Sequence, residues 1–238
     1  MHLIIRVCTL FLLLNSCHKA SNTQEKDILT TTITDSNPNA FLVINDAVEF
    51  VKDTVDYDTT LWRELTDLDS SILLDIRYAT KNNFVGKVLY DCPRCFLRPE
   101  AAFAVLAAHK ELKKEGLGLK LFDCYRPRDI QWELWKIYPK PGYVADPRKG
   151  SIHNRGAAID LTIVDSTGQQ LDMGTVFDFF GPKANHTYTD FPDEILANRL
   201  KLKQLMSKHN FVAIRSEWWH YNFKDKNYEL ADGMWHCD

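Results

Sequence analysis

Two short stretches of this chain combine residues that bind metals and move protons. In SIHNRGAAIDLTIV, residues 151 to 164, His153 and Asp160 stand seven positions apart with Gly156, Ala157 and Ala158 between them. In Ser216-Glu217-Trp218-Trp219-His220, a glutamate precedes a histidine by three positions among large aromatics. Imidazole nitrogen and carboxylate oxygen form an ordinary zinc ligand set, and a catalytic zinc needs three protein ligands plus an open position for water. His153, Asp160 and His220 supply the three. That leaves Glu217 free as the base that takes a proton from the attacking water. Each motif alone is better explained structurally, by an ion pair for Glu217 and a carbonyl-bonded imidazole for His220. Jointly they favour a metal, because polar groups boxed in by tryptophans are costly to bury without partners.

The elements around them must solve two problems of spacing. From Ala158 the chain alternates, with Ile159, Leu161 and Ile163 on one face and Asp160 and Thr162 on the other, which predicts a strand. Seven is odd, so a continuous strand would part His153 from Asp160; a hinge at Gly156 is needed to fold His153 back over the strand. Three is odd too, so a bulge or turn must bring Glu217 and His220 to one side of AIRSEWWHYNF, read as a final strand. The stretch around Leu73, Asp75 and Arg77 reads as a strand followed by a loop. A helix opens at Pro99 and stops at Gly116, with His109 on its solvated side. LKLFDCYRP is a strand ending at Pro127, RDIQWELWKIY a helix, and EILANRLKLKQLMSKHNF a further helix ending near Asn210. Strands and helices mix without strict alternation, so the fold class is α+β rather than doubly wound.

The 238 residues suit one domain, and a net charge of −3 with both signs interspersed offers no basic stripe for nucleic acid. No protein partner is evident in the sequence. Residues 1–16 read as a signal peptide, with a short apolar run too brief to span a membrane. LNSC resembles a lipoprotein cleavage box, so Cys17 is expected to carry the lipid that anchors the chain to a membrane. Residues 17–57 form a polar tether, in which AFLVINDAVEFVK is apolar enough to pair as an outer strand; the domain proper spans 58–238. Export to the periplasm or cell envelope permits disulfides, and Cys92, Cys95, Cys124 and Cys237 are expected to form them in one of three pairings.

The motifs DIRYAT and NF-G (75 to 86), CFLRPEAA (95 to 102), D-C-YRP (123 to 127), SIHNRGAAIDLT (151 to 162), MG--FDF (173 to 179) and EWWHY (217 to 221) run in an order that resembles the D-alanyl-D-alanine dipeptidase family, the VanX-type zinc peptidases. The resemblance covers most of residues 58 to 225. It implies a single zinc-peptidase domain with a central, mainly antiparallel sheet flanked by helices, and one Zn2+ per chain. It implies His153, Asp160 and His220 as zinc ligands, Glu217 as general base, and Arg126 as the group that stabilises the oxyanion. Ser151 and Asp178 match positions that contact the substrate's termini. The implied activity is hydrolysis of D-Ala-D-Ala, or a closely related small dipeptide, in the cell envelope. Two departures stand out. Cys124 replaces the glycine or alanine common before YRP, so a disulfide there would brace the arginine turn. The loop from Gly181 to Pro192 looks individual, and loops set pocket depth. Two alternatives therefore remain: a zinc carboxypeptidase or L,D-endopeptidase acting on longer peptidoglycan peptides, which an open groove rather than a closed pocket rimmed by the 181 to 192 loop would favour, and a noncatalytic peptidoglycan-binding lipoprotein. Retention of Glu217 and Arg126 argues against the second, since binding alone needs no base.

Overall fold

A computed structural model of the chain describes residues 42–44, 47–49, 62–224 and 228–237. The proposed signal segment and Cys17 lie outside the described residues. In chain order the elements are strands β1 (Leu42–Ile44), β2 (Ala47–Glu49) and β3 (Arg63–Glu64), helix α1 (Leu65–Leu68), strands β4 (Leu73–Leu74) and β5 (Phe96–Leu97), helix α2 (Pro99–Lys113), strand β6 (Gly118–Asp123), helix α3 (Arg128–Ile137), strand β7 (Ala158–Val164), helix α4 (Asp193–Lys208), and strands β8 (Phe211–Ala213) and β9 (His220–Phe223). The central sheet has the order β4-β6-β7-β9-β8, with only the β4–β6 pair parallel. This is the α+β, mainly antiparallel architecture expected.

The sheet is built around β7, every residue of which is buried. Its odd-numbered face, Ile159, Leu161 and Ile163, joins a core with Val105, Leu112, Leu202 and Met206. Helix α2 packs on β6, and α4 packs on β7 and β8. Pro99 sits in the first turn of α2, where its fixed φ suits the helix and its missing N–H costs nothing. The opposite face of β7 carries Asp160 and Thr162, and there the sheet turns from packing to chemistry.

Four local expectations need correction. His109 is not solvated: it is 1% exposed, its Nδ1 accepts the Leu119 N–H at 3.1 Å, and its Nε2 lies 2.9 Å from Ser71 Oγ. The reason lies in helical spacing, since it stands four residues beyond Val105 and three before Leu112 on the buried stripe of α2. The segment at 73–77 keeps only two residues of strand before a 3-10 turn, Arg77–Ala79. Within AFLVINDAVEFVK the described residues, Leu42–Ile44 and Ala47–Glu49, are two strands that pair with each other rather than one outer strand. Finally, AIRSEWWHYNF is a hairpin: β8 and β9 pair antiparallel, with Ile214 to Trp219 between them as a turn.

Candidate metal centre and active site

Strand register brings the first residues together. Asp160 on β7 lies directly opposite His220 on β9, and a register shift between Leu121 and Asp123 sets Asp123 on β6 opposite Asp160. Residues directly opposite in paired strands share a face, so Asp123, Asp160 and His220 form a row across the sheet. His153 reaches that row from outside it, on a 3-10 turn (His153–Arg155) that Gly156 ends in the left-handed region at φ 65°. A Cβ at Gly156 would lie 2.1 Å from the Trp62 ring, so both backbone and space require glycine there. The turn is tied to the segment after β6: Arg126 N–H donates to the His153 carbonyl at 3.1 Å, and Asn154 Nδ2 donates to the Arg126 carbonyl at 2.6 Å. The buried Asn154 also accepts the Ser151 N–H at 2.6 Å.

The hydrogen bonds around the two imidazoles fix which nitrogens face inward. His153 Nδ1 lies 2.6 Å from the Cys124 carbonyl oxygen, which can only accept, so Nδ1 carries the proton. By the same logic His220 Nε2 donates to Asn222 Oδ1 at 2.8 Å. The remaining lone pairs, His153 Nε2 and His220 Nδ1, face each other at 3.0 Å, and Asp160 Oδ1 lies 3.0 Å from the second and 3.4 Å from the first. Burial alone would raise the Asp160 carboxyl; a proton held between it and the imidazoles gives the rings the positive charge and hydrogen bonds that pull it well below the usual carboxylate range. Three acceptors thus converge on one point, an arrangement that a cation resolves. Ligands about 2.0–2.2 Å from a tetrahedral ion stand about 3.4 Å apart, and these three separations fit it. Among the described residues this is the one cluster of three such side chains with metal-binding geometry.

The groups that would act on a substrate line the same cavity, of about 270 Å³. Glu217 is 7% exposed; burial above all, with the charge of Asp160, pushes its carboxyl up to about 8 against the opposing pull of His220 and Arg126. Arg126 is gripped by the buried Asp123, whose Oδ2 accepts from Nε at 2.8 Å and lies 2.6 Å from Nη2, while Nη1 donates to Gln131 Oε1 at 2.8 Å. A guanidinium has five N–H donors, so two are left for the cavity that Arg126 lines. Tyr90 holds the other oxygen of Asp123 at 2.9 Å. Asp178 accepts the Tyr78 hydroxyl at 3.0 Å, and burial, then the charges of Asp160 and Glu217, push its carboxyl well above the usual range. Ser151 Oγ accepts the His153 N–H at 3.2 Å, so it shapes the ligand turn as well as lining the cavity.

Comparison with known proteins now decides the family. Residues 61–234 match the peptidase family described as D-ala-D-ala dipeptidase. The chain belongs to that family. The chain is similar to the D-alanyl-D-alanine dipeptidase of Escherichia coli, 36% identical over 76% of this chain and 94% of its own, and to that of Enterococcus faecium, 34% identical over 69% and 92%. The dipeptidase of Streptomyces coelicolor is 33% identical over 67% of this chain and 90% of its own. A solved LD-carboxypeptidase structure is 22% identical over 56% of this chain and 61% of its own, with a TM-score of 0.37, too slight a likeness to carry an argument. Membership makes the chain a metallopeptidase, and His153, Asp160 and His220 are the cluster in it that suits the metal.

In this dipeptidase-family chain the structure brings together the metal, catalytic and substrate-binding residues named from the sequence: His153, Asp160, His220, Glu217, Arg126, Ser151 and Asp178 all line one cavity. The cysteines pair as Cys92–Cys237 and Cys95–Cys124, so the two halves of the CxxC go to different partners. Loop 181–192 does not line the cavity as expected. Phe84, Tyr143 and Phe180 line it instead, with Phe180 also stacked on Tyr138 at 4.6 Å. Sequence reasoning missed Asp123, Asn222, Gln131 and Tyr78. Asn222 was within reach, because it stands two residues past His220 and so shares its strand face. Gln131 and Tyr78 gave no such signal, since each meets its partner only through the tertiary fold.

Proposed function

We propose that this chain is a zinc-dependent dipeptidase that hydrolyses D-Ala-D-Ala, or a closely related small D,D-dipeptide, in the bacterial cell envelope. The observation that carries this reading is the convergence of two inward imidazole lone pairs and an ionised carboxylate beside a buried glutamate. When bound by His153, Asp160 and His220, zinc would supply Lewis acidity, polarising the scissile carbonyl and making water acidic enough to react at neutral pH. Glu217 then accepts the proton of the attacking water and hands it to the leaving amine. Its elevated proton affinity suits that role, because a base poised near ambient pH both takes and returns a proton. The two spare donors of Arg126 face the oxygen on which negative charge develops, and Asp123 and Gln131 keep them from turning away. Asp178, whose carboxyl burial and the charges of Asp160 and Glu217 push well above its usual range, would pair with the substrate's ammonium and so anchor the amino end.

The size of the cavity supports a short substrate. Sites for drug-sized ligands run from about 300 to 1,000 Å³, and this one lies just below that range, walled by Phe84, Tyr143 and Phe180. The curated relatives are named for the same small dipeptide. Residues 1–16 are proposed to direct export, with Cys17 lipidated as a membrane anchor. The test is to incubate the zinc-loaded chain with free D-Ala-D-Ala, L-Ala-L-Ala and a muramyl pentapeptide ending in D-Ala-D-Ala, and to measure released alanine. Cleavage of the free D,D-dipeptide alone is expected. Release from the pentapeptide would make the enzyme a carboxypeptidase, and no release with zinc bound would return it to a binding protein. Glu217→Gln should keep zinc and lose about 10²- to 10⁴-fold in kcat.

A further inference from the structure

The ligand His153 depends on a contact that the sheet does not provide. Its ring is oriented by the Cys124 carbonyl, the 2.6 Å bond that fixes its tautomer. Strand β6 ends at Asp123, so Cys124 lies beyond the ladder that holds its predecessors. What holds it is the disulfide to Cys95, with both cysteines 2% exposed or less, and the neighbouring bond from Tyr125 N–H to the Phe96 carbonyl at 2.9 Å. The second disulfide works at a remove. Cys237 is exposed, and its bond to Cys92 fastens a C-terminal strap whose Ala231 N–H donates to the Asn154 carbonyl at 2.9 Å and whose Gly233 carbonyl accepts the Tyr125 hydroxyl at 3.0 Å.

We propose that the buried Cys95–Cys124 disulfide is a positioning element of the metal centre: it locks the carbonyl that orients His153, so the oxidised chain binds its metal tightly and opening this one bond weakens binding. The inference rests on the reading of His153, Asp160 and His220 as metal ligands. Groups that orient a metal ligand from behind typically contribute 10- to 100-fold in affinity, and the same factor applies here, about 10- to 100-fold. Reduction consumes one thiol-based reducing equivalent pair and yields two cysteine thiols, with glutathione oxidised to its disulfide. Coupling is reciprocal, so bound metal must make this disulfide harder to reduce by the factor that reduction weakens the metal.

Two experiments on the full chain test it. In the first, zinc affinity is measured by chelator competition for the native chain and for the double variants Cys95→Ala/Cys124→Ala and Cys92→Ala/Cys237→Ala, with circular dichroism as the check on folding. A 10- to 100-fold loss confined to the first variant is expected. Native affinity in a folded first variant overturns the proposal, and so does an equal loss in both. The second needs no variant and decides the matter if the first fails to fold. The native chain is equilibrated in glutathione redox buffers with zinc held by a chelating buffer or absent, and each cysteine's thiol fraction is read by alkylation and mass spectrometry. Zinc should shift the midpoint of Cys95–Cys124 by 10- to 100-fold in the buffer ratio and that of Cys92–Cys237 by less than threefold. No shift, or equal shifts, overturns the proposal. A native chain that binds no zinc at all would instead sink the metal reading itself, which keeps the two failures apart.

Discussion

The site has two halves that are held in different ways. Asp160 and His220 stand on paired strands, where register alone sets them side by side. His153 and Arg126 stand on two loops that meet through the Arg126 N–H to His153 carbonyl bond and through Asn154, with a disulfide behind one and a strap over the other. A strand pair positions its side chains by a repeating ladder that tolerates substitution elsewhere. A loop pair has no ladder, so each ligand needs its own dedicated contacts. The contrast implies that the sheet half withstands the loss of a supporting group better than the loop half does.

The comparison can be broken first at the sheet. Asp160→Ala removes the charge that the metal needs and leaves two imidazole lone pairs facing each other, so zinc stoichiometry by equilibrium dialysis should drop from one to none and hydrolysis to background. At the loop, Arg126→Lys should leave zinc affinity unchanged and lower kcat by about 10²- to 10³-fold, because an ammonium cannot hold Asp123, Gln131 and the oxyanion at once. A fall in zinc affinity there would mean that Arg126 holds the ligand turn rather than the substrate.

Supporting residues sharpen the contrast. Asn222→Ala removes only the partner of His220 Nε2 and should weaken zinc about 10-fold, the low end for such groups, since β9 still holds the ring. Asn154→Ala strips two buried backbone partners from the loop half, so it should destabilise the chain by about 1–3 kcal/mol, with a Tm several degrees lower. A fall in Tm for Asn222→Ala as large as that for Asn154→Ala would erase the distinction between ladder and loop.

The smallest effect concerns Glu217, on the turn between β8 and β9. In the metal-free chain its carboxyl titrates at about 8 when folded, against about 4.3 when unfolded. The stability that its protonated form contributes is therefore complete below the unfolded value and is lost as pH rises through 8. The Tm advantage of metal-free Glu217→Gln over the native chain should grow from pH 5 to pH 9, and saturating zinc should shrink it. A pH-independent difference would place Glu217 in water rather than in the buried cavity.

Much of this arrangement was legible in the residues themselves, and for a physical reason in each case. Alternation from Ala158 onward marked β7 and put Asp160 on the face away from Ile159 and Leu161, because side chains on a strand repeat every two residues. Gly156 announced the hinge that folds His153 back, since only glycine adopts the left-handed conformation without strain. His109 shows how a local reading fails: its neighbours Ala108 and Lys110 suggested solvent, while its three- and four-residue spacing to Leu112 and Val105 put it in the core. The final strand was misread because a turn among buried tryptophans has the same apolar composition as a strand.

What the sequence determined by itself is therefore the inventory: which side chains are able to bind a metal, which strand face carries Asp160, where the chain must hinge, and that four cysteines are available to pair. The tertiary structure alone decided which cysteines meet, that Asp123 and Gln131 hold Arg126, and that Phe180 rather than loop 181–192 bounds the cavity. The division follows from range. Periodicity and backbone strain act between residues a few positions apart and leave a pattern in the chain, whereas a hydrogen bond from the His153 ring to the Cys124 carbonyl joins residues whose separation in sequence carries no trace of the contact.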